Sequence, residues 1–425
     1  MSNRLLSLLL LFLSWQSFAN SILIPMDDSQ TNHLKAYGLA YITLKNETEI
    51  DWLLNYRGGS FLVNYSPNLE KECLVRGVSF EIISDGDVLN LKAEIANPNA
   101  NMEIMRLFKA AKIAVYSPSK ISLASFEDTD AVLLVLRYAE IPFDIIYDEE
   151  IIRGDLAKYD WVHLHHEDFT GQFGKNLRRM SEKDMKAQED LAHRLKYAKV
   201  SNLKLDVAKT IKAFCMRGGF LFAMCSGAET FDIALAAEGV DIVSSRFDGD
   251  DIDPDAQAKL DFKKTFAFEN FTLFLNEAEG WGGGSRGMGG MSFSDINVSN
   301  GRWDEEDESY FNLFNFSAKW DFIPAMLCQN HEHIIREFMG QTSGFKKNTV
   351  KSNVLVMGES RTSDRYMYGE FGLGQWVFYG GHDPEGRRGF HRVPTDLNIF
   401  PHSPGYRLIL NNVLFPSARK KKRKT

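Results

Sequence analysis

From Lys112 onward, short apolar runs alternate with amphipathic stretches of helical spacing, and this rhythm constrains the fold more than any other feature. Residues 112–116, 143–147, 161–165 and 218–224 read as strands; 128–138, 203–216 and 228–237 read as helices. Strands that are apolar throughout must be covered on both faces, and strands separated by helices pair in parallel. The expected fold class is therefore α/β, a parallel sheet flanked by helices. Ahead of it, residues 20–110 form an N-terminal α/β segment with strands at 21–25, 50–55 and 78–84 and a helix at 33–44. Between 248 and 351 the rhythm breaks into an acidic run, a Gly-rich segment and aromatic-rich pieces, which together read as a large insertion with strands and long loops. Regular structure returns at 354–357. A hairpin of 366–371 and 375–379 about Gly372-Leu373-Gly374 follows, then a helix at 405–414. The core is thus assigned to 111–247 and 352–416, with a basic tail at 417–425.

The N-terminus reads as a secretory signal over residues 1–19. Arg4 supplies the positive charge, residues 5–13 the apolar run, and Ser17-Phe18-Ala19 a small-x-small site cut after Ala19. The run falls short of the roughly 20 apolar residues that span a bilayer. No stable membrane anchor is expected, and the destination is periplasmic or secreted. With 44% hydrophobic and 25% charged residues, the composition is that of a globular protein. Formal net charge is −8, although six basic residues are gathered at Arg419 to Lys424, so the body is more acidic still. Such a surface excludes nucleic acid as partner, because binding it needs positive charge to displace counterions. Export permits disulfides among Cys73, Cys215, Cys225 and Cys328, and the sequence leaves their pairing open.

The chemistry concentrates in three stretches. In Gly218-Gly219-Phe220-Leu221-Phe222-Ala223-Met224-Cys225-Ser226-Gly227 a buried strand ends at Cys225 and a helix opens within a few residues. A sharp strand-to-helix turn lifts a thiol out of the sheet, and the helix N-terminus favours thiolate and a developing oxyanion. Small Ser226 and Gly227 leave room for substrate. A buried structural Cys, or a bridge to Cys215, competes with that reading. In the second stretch, Gly374 to Glu385, a strand ends at His382 with a carboxylate close behind. His382 would serve as base and Glu385 as its orienting partner.

Strand, Cys and helix followed by a late His with Pro-Glu resembles the class I glutamine amidotransferase-like superfamily, with its G-x-C-x-G elbow and His-Pro-Glu. Here the elbow is Ala223-Met224-Cys225-Ser226-Gly227, with Ala in the first position, and the second motif is His382-Asp383-Pro384-Glu385, one residue longer. Gly372-Leu373-Gly374-Gln375-Trp376-Val377-Phe378-Tyr379 before Gly381-His382 is similar to the ThuA-like branch. The resemblance covers 111–247 and 352–416. It implies a flavodoxin-like, glutamine amidotransferase-like sheet with Cys225, His382 and Glu385 as catalytic residues. The whole chain, from Ile24-Pro25-Met26-Asp27-Asp28 through Asn55-Tyr56-Arg57-Gly58-Gly59 to Ser403-Pro404-Gly405-Tyr406, also resembles exported bacterial proteins often labelled asparagine synthetase B. The motifs of such a synthetase, an N-terminal Cys and a Ser-Gly-Gly-x-Asp-Ser loop for ATP, are missing.

The third stretch is Trp161-Val162-His163-Leu164-His165-His166-Glu167-Asp168. The carboxyl edge of an open α/β sheet lines the ligand crevice, so His165, His166, Glu167, Ser226 and Gly227 are the expected substrate-binding residues. A zinc reading of these histidines with His382 is weighed below a hydrogen-bonding role, because tetrahedral ligation needs several segments to converge. No metal and no cofactor is expected.

Discounted are Gly282-Gly283-Gly284-Ser285-Arg286-Gly287, which lacks a strand–turn–helix context, and Asp251-Ile252-Asp253-Pro254-Asp255, which lacks the glycine and terminal Glu of a calcium loop. The expected function is an exported cysteine-dependent amidase or hydrolase acting on a small molecule or glycan. The alternatives are a non-catalytic carbohydrate binder using Trp281, Trp303, Trp320 and Trp376, and a metal-dependent hydrolase built on the histidines.

Overall fold

The computed structural model describes residues 20–118, 130–175, 181–275, 292–298, 310–320, 324–327, 333–336, 342, 344–385 and 394–418. The expected signal at 1–19, the Gly-rich segment, Cys328, Trp281, Trp303 and residues 419–425 of the basic tail lie outside them. Among the described residues no helix is long and apolar enough to cross a membrane.

Residues 20–107 build a five-stranded antiparallel sheet from β1 (Asn20–Ile24), β2 (Ile50–Leu54), β3 (Ser60–Asn64), β4 (Glu81–Ser84) and β5 (Glu103–Leu107), in the order β4-β1-β3-β2-β5. Strand alternation sends Ile22, Ile24, Trp52, Leu54, Phe61 and Val63 to one face and Leu23, Leu53 and Leu62 to the other. Helix α1 (His33–Lys45) and helix α2 (Pro67–Arg76) lie on the first side, while α3 (Asp85–Ala96) covers the second with Leu91 and Ile95. Sequence reading missed β3 and β5.

The second sheet carries the site. β6 (Ile113–Tyr116), β7 (Asp144–Ile146), β8 (Trp161–Leu164), β9 (Phe220–Met224) and β15 (Gly374–Tyr379) run parallel in the order β7-β6-β8-β9-β15. In chain order they lie second, first, third, fourth and fifth across the sheet. The expected parallel sheet is present in these five strands, but it is only part of a larger mixed sheet. Beyond β15 the sheet continues antiparallel through β14 (Ser363–Phe371), β13 (Leu355–Glu359), β10 (Tyr310–Leu313) and β11 (Ile334–Arg336), and β12 (Phe345–Lys346) pairs with β14. The cause is the short Gly372-Leu373 turn, which reverses the chain and leaves no room for a crossover helix. Part of the presumed insertion thereby becomes sheet edge.

Helices pack on both faces of this sheet. On one side lie α4 (Ala131–Tyr138) and α9 (Pro404–Leu414); on the other, α5 (Asp148–Arg153), α6 (Glu182–Arg194), α7 (Val200–Met216) and α8 (Cys225–Ala236). In α7 the buried Leu203, Val207, Ile211 and Phe214 recur at helical spacing and form its inward stripe. The buried Lys204 ammonium meets Asp148 Oδ2 at 2.5 Å and the Tyr116 hydroxyl at 3.2 Å, pinning α7 to the α5 N-terminus.

The two sheets share one core, since α9 contacts both α1 and α4. Tyr37 of α1 donates to Asn411 Oδ1 at 2.5 Å, and the fully buried Arg407 donates to Gly58 O at 2.9 Å. Gly405 to Leu414 of α9 are all buried, the polar Arg407, Asn411 and Asn412 included.

Candidate active site

Parallel pairing brings the carboxyl ends of β8, β9 and β15 to one edge of the sheet. These are the strands that end in His165-His166, Cys225 and His382 respectively. The residues singled out from the sequence therefore converge.

Cys225 sits where β9 passes directly into α8, which begins at Cys225 rather than at the expected residue 228. Its φ is +49°, a left-handed value for a non-glycine residue. Such a conformation costs of order 1–3 kcal/mol and persists where surrounding structure enforces it. The enforcing contact is visible. The Gly227 N–H donates to His165 O at 2.7 Å, and a Cβ on Gly227 would stand 2.8 Å from that same oxygen. Helix α8 therefore starts in backbone contact with the end of β8. Gly227→Ala is expected to push the two apart and lose about 2 kcal/mol by overpacking, read as a lowered denaturation midpoint at unchanged m-value.

The small size of Gly227 lets the β8 end approach. Its N–H and that of His165, which donates to Glu167 Oε2, are both engaged within the protein. Glu167 is buried with its carboxylate turned back onto its own loop, and burial pushes that carboxyl up to about 7.

The Cys225 side chain is fully buried, and among the described residues no disulfide joins Cys73, Cys215 or Cys225. Burial holds the Cys215 thiol well above its ordinary range, consistent with an inert core residue. One flank of Cys225 is polar. The Thr342 N–H donates to Sγ at 3.4 Å, its hydroxyl donates to Glu229 Oε2 at 3.2 Å, and its carbonyl accepts from Gly381 N–H at 2.9 Å. Thr342 thus ties the thiol turn to the Gly380-Gly381 turn that presents His382. Glu229, one helical turn after Cys225, also accepts from Ser294 Oγ at 2.8 Å, and burial pushes its carboxyl up to about 7.

The histidines form a contiguous stack. Nε2 of His166 and Nε2 of His382 are 3.2 Å apart, and the His165 ring lies 3.7 Å from that of His166 and 4.7 Å from that of His382, centroid to centroid. Nδ1 of His165 donates to Asp130 Oδ2 at 2.7 Å, whereas its buried Nε2 has no hydrogen-bond partner among the described residues. Asp130 caps α4, accepting from the N–H groups of Val132 and Leu133 at 2.8 and 3.0 Å. Burial raises its carboxyl, but His165 and His163 outweigh this and hold it well below the usual carboxylate range. His163 is fully buried, with Nδ1 donating to Phe222 O at 3.1 Å. Burial, followed by the facing His165 and His382, holds His166 far below the usual histidine range.

Beside His382, the buried Asp383 carboxylate accepts from the Tyr406 hydroxyl at 2.9 Å, from Thr395 Oγ1 and from the Glu385 N–H at 2.9 Å. It braces the turn that carries His382. Glu385 itself is half-buried at the end of that turn.

Sequence reasoning missed Asp130, Glu229 and Thr342. Asp130 carried a legible signal, an Asp directly before an apolar helical run. Thr342 carried none. Of the tryptophans, Trp376 is buried against Phe266 and Phe378, whereas Trp320 is exposed. In the acidic run, the Asp253 carboxylate is held by Lys259 at 2.5 Å.

No family model matches the chain, and no curated protein matches it. Among solved structures it is similar to the cytoplasmic proteins STM3548 and STM1381 of Salmonella typhimurium. Identity is 11% and 12% over 73% and 72% of this chain, covering 100% and 99% of theirs, with TM-scores of 0.36 and 0.35. A GH42 β-galactosidase from G. stearothermophilus aligns at 12% identity over 67% of this chain and 29% of its own, with a TM-score of 0.24. Likeness this slight carries no argument about function.

Proposed function

We propose that this chain is an exported cysteine-dependent hydrolase of amides or esters on a flavodoxin-like, glutamine amidotransferase-like scaffold. The observation that carries this reading is the left-handed φ of Cys225, +49°, at a strand-to-helix turn on the sheet edge that also presents His382. Strain of this kind at a nucleophile turn aims the side chain away from the sheet. The order β7-β6-β8-β9-β15 supports the scaffold, because a second-first-third-fourth-fifth order is that of flavodoxin-like sheets.

In the proposed reaction Cys225 Sγ attacks the substrate carbonyl and His382 takes the thiol proton. The Ser226 N–H, at the positive end of α8, meets the developing oxyanion. His382 returns the proton to the leaving amine or alcohol. Water then attacks the thioester, giving the acid and restoring the thiol. Hydrolysis draws only on water, which suits a compartment outside the cytoplasm. The substrate is a small molecule or glycan derivative.

Treating the folded protein with an iodoacetamide probe tests this. Expected is labelling at Cys225 that disappears in Cys225→Ser and slows at least about tenfold in His382→Ala, the scale of a lost general base. A folded protein in which Cys225 resists the probe supports the non-catalytic binder instead.

A further inference from the structure

The buried Nε2 of His165 has no role in the thiol chemistry. A buried polar atom without a partner costs about 1–3 kcal/mol, so its persistence calls for an explanation. We propose that His165, His166 and His382 bind a single divalent transition-metal cation of the zinc class, with Asp130 as the carboxylate behind His165.

Four observations carry the site. First, one ring nitrogen from each of the three histidines lies within 4.8 Å of the others. Second, with Nδ1 engaged by Asp130, Nε2 is the nitrogen His165 has left to offer, and the residue is 2% exposed. Third, metal-ligating histidines characteristically donate their other ring N–H to a carboxylate, and the 2.7 Å bond to Asp130 is that arrangement, itself fixed by two helix-capping bonds. Fourth, the 3.2 Å between Nε2 of His166 and Nε2 of His382 matches the roughly 3.3 Å edge of a tetrahedron with metal–nitrogen bonds of about 2.0–2.1 Å.

The ligands follow the ends of β8 and β15, two strands that flank β9, so the sheet brings the two segments together and the turn braced by Asp383 presents His382. Three imidazoles from rigid elements select Zn²⁺ or Co²⁺ over Mg²⁺ and Ca²⁺, which prefer oxygen. They also leave a fourth tetrahedral position for water or substrate, as in catalytic rather than structural zinc sites.

This inference goes beyond the thiol reading and does not rest on it. One lone pair of His382 cannot serve a cation and a thiol proton together, so metal loading and thiol activation exclude each other at that ring.

The test measures binding directly. The purified protein is stripped with a chelator and titrated with Zn²⁺ by calorimetry, and with Co²⁺ by visible absorption. Expected are one Zn²⁺ per chain and the ligand-field bands of four-coordinate Co²⁺. His166→Ala, at the least buried of the three ligands, should weaken affinity at least about 100-fold, and Asp130→Asn about 10–100-fold, with unchanged circular dichroism. Cys225→Ser should bind like the parent, which separates this result from the fate of the thiol reading. The proposal is overturned if the folded parent takes up no Zn²⁺, or if His166→Ala binds it with parental affinity.

Discussion

Replacing Asp130 with Ala is expected to remove about 3–5 kcal/mol of folding stability, the scale of breaking a buried charged contact from one side. The side chain is 6% exposed and does two jobs at once. One oxygen caps α4 through the N–H groups of Val132 and Leu133, and the other receives His165 Nδ1. Ala removes both acceptors and leaves two helix-terminal donors and an imidazole N–H buried without partners, each a penalty in its own right. Asp130→Asn keeps a capping oxygen and should lose only about 1–2 kcal/mol. Urea denaturation of the parent and both variants reads the difference. A loss below about 1 kcal/mol for the Ala variant would mean that solvent reaches this carboxylate and that the histidine stack does not depend on it.

The second large effect is a pH dependence. Glu229 is buried among Ser294, Thr342 and the helix that carries Cys225, and its carboxyl is pushed up to about 7 from an ordinary 4.5. The folded chain therefore holds this proton more tightly than the unfolded chain. Stability linked to Glu229 is fully present below about pH 4.5 and is lost as pH rises through about 7. A shift of this size corresponds to about 3 kcal/mol at pH 8 and above. Glu229→Gln keeps the shape and hydrogen-bonding capacity but not the charge. It should match the parent near pH 5 and exceed it by up to about 3 kcal/mol at pH 8. Asp232, which burial pushes up to about 6, titrates in the same direction in both proteins, so the parent–variant difference isolates Glu229. Parallel stability curves from pH 5 to 8 would show that Glu229 is solvated and charged throughout.

That the segments carrying Cys225, His165, His166 and His382 end on one sheet edge was legible before any coordinates. A parallel sheet places all its carboxyl ends on one edge, and each of these residues follows an apolar run readable as a strand. His166 and His382 meet across 216 residues for that reason alone. The orienting carboxylate was less legible. The sequence suggested Glu385 by proximity and pointed to neither Asp130, which accepts from His165, nor Asp383, which braces the His382 turn.

Periodicity and turn chemistry by themselves determined the alternating strands and helices, their buried faces and the strand-to-helix turn at Cys225. These depend on φ/ψ preferences and on spacings of two to four residues, which the local sequence contains. Tertiary structure alone decided that the sheet continues antiparallel past β15, that a second sheet shares its core, and that Thr342 reaches Cys225 across 117 residues. Such contacts are chosen by competition among all surfaces that must be buried together. No single segment records the outcome.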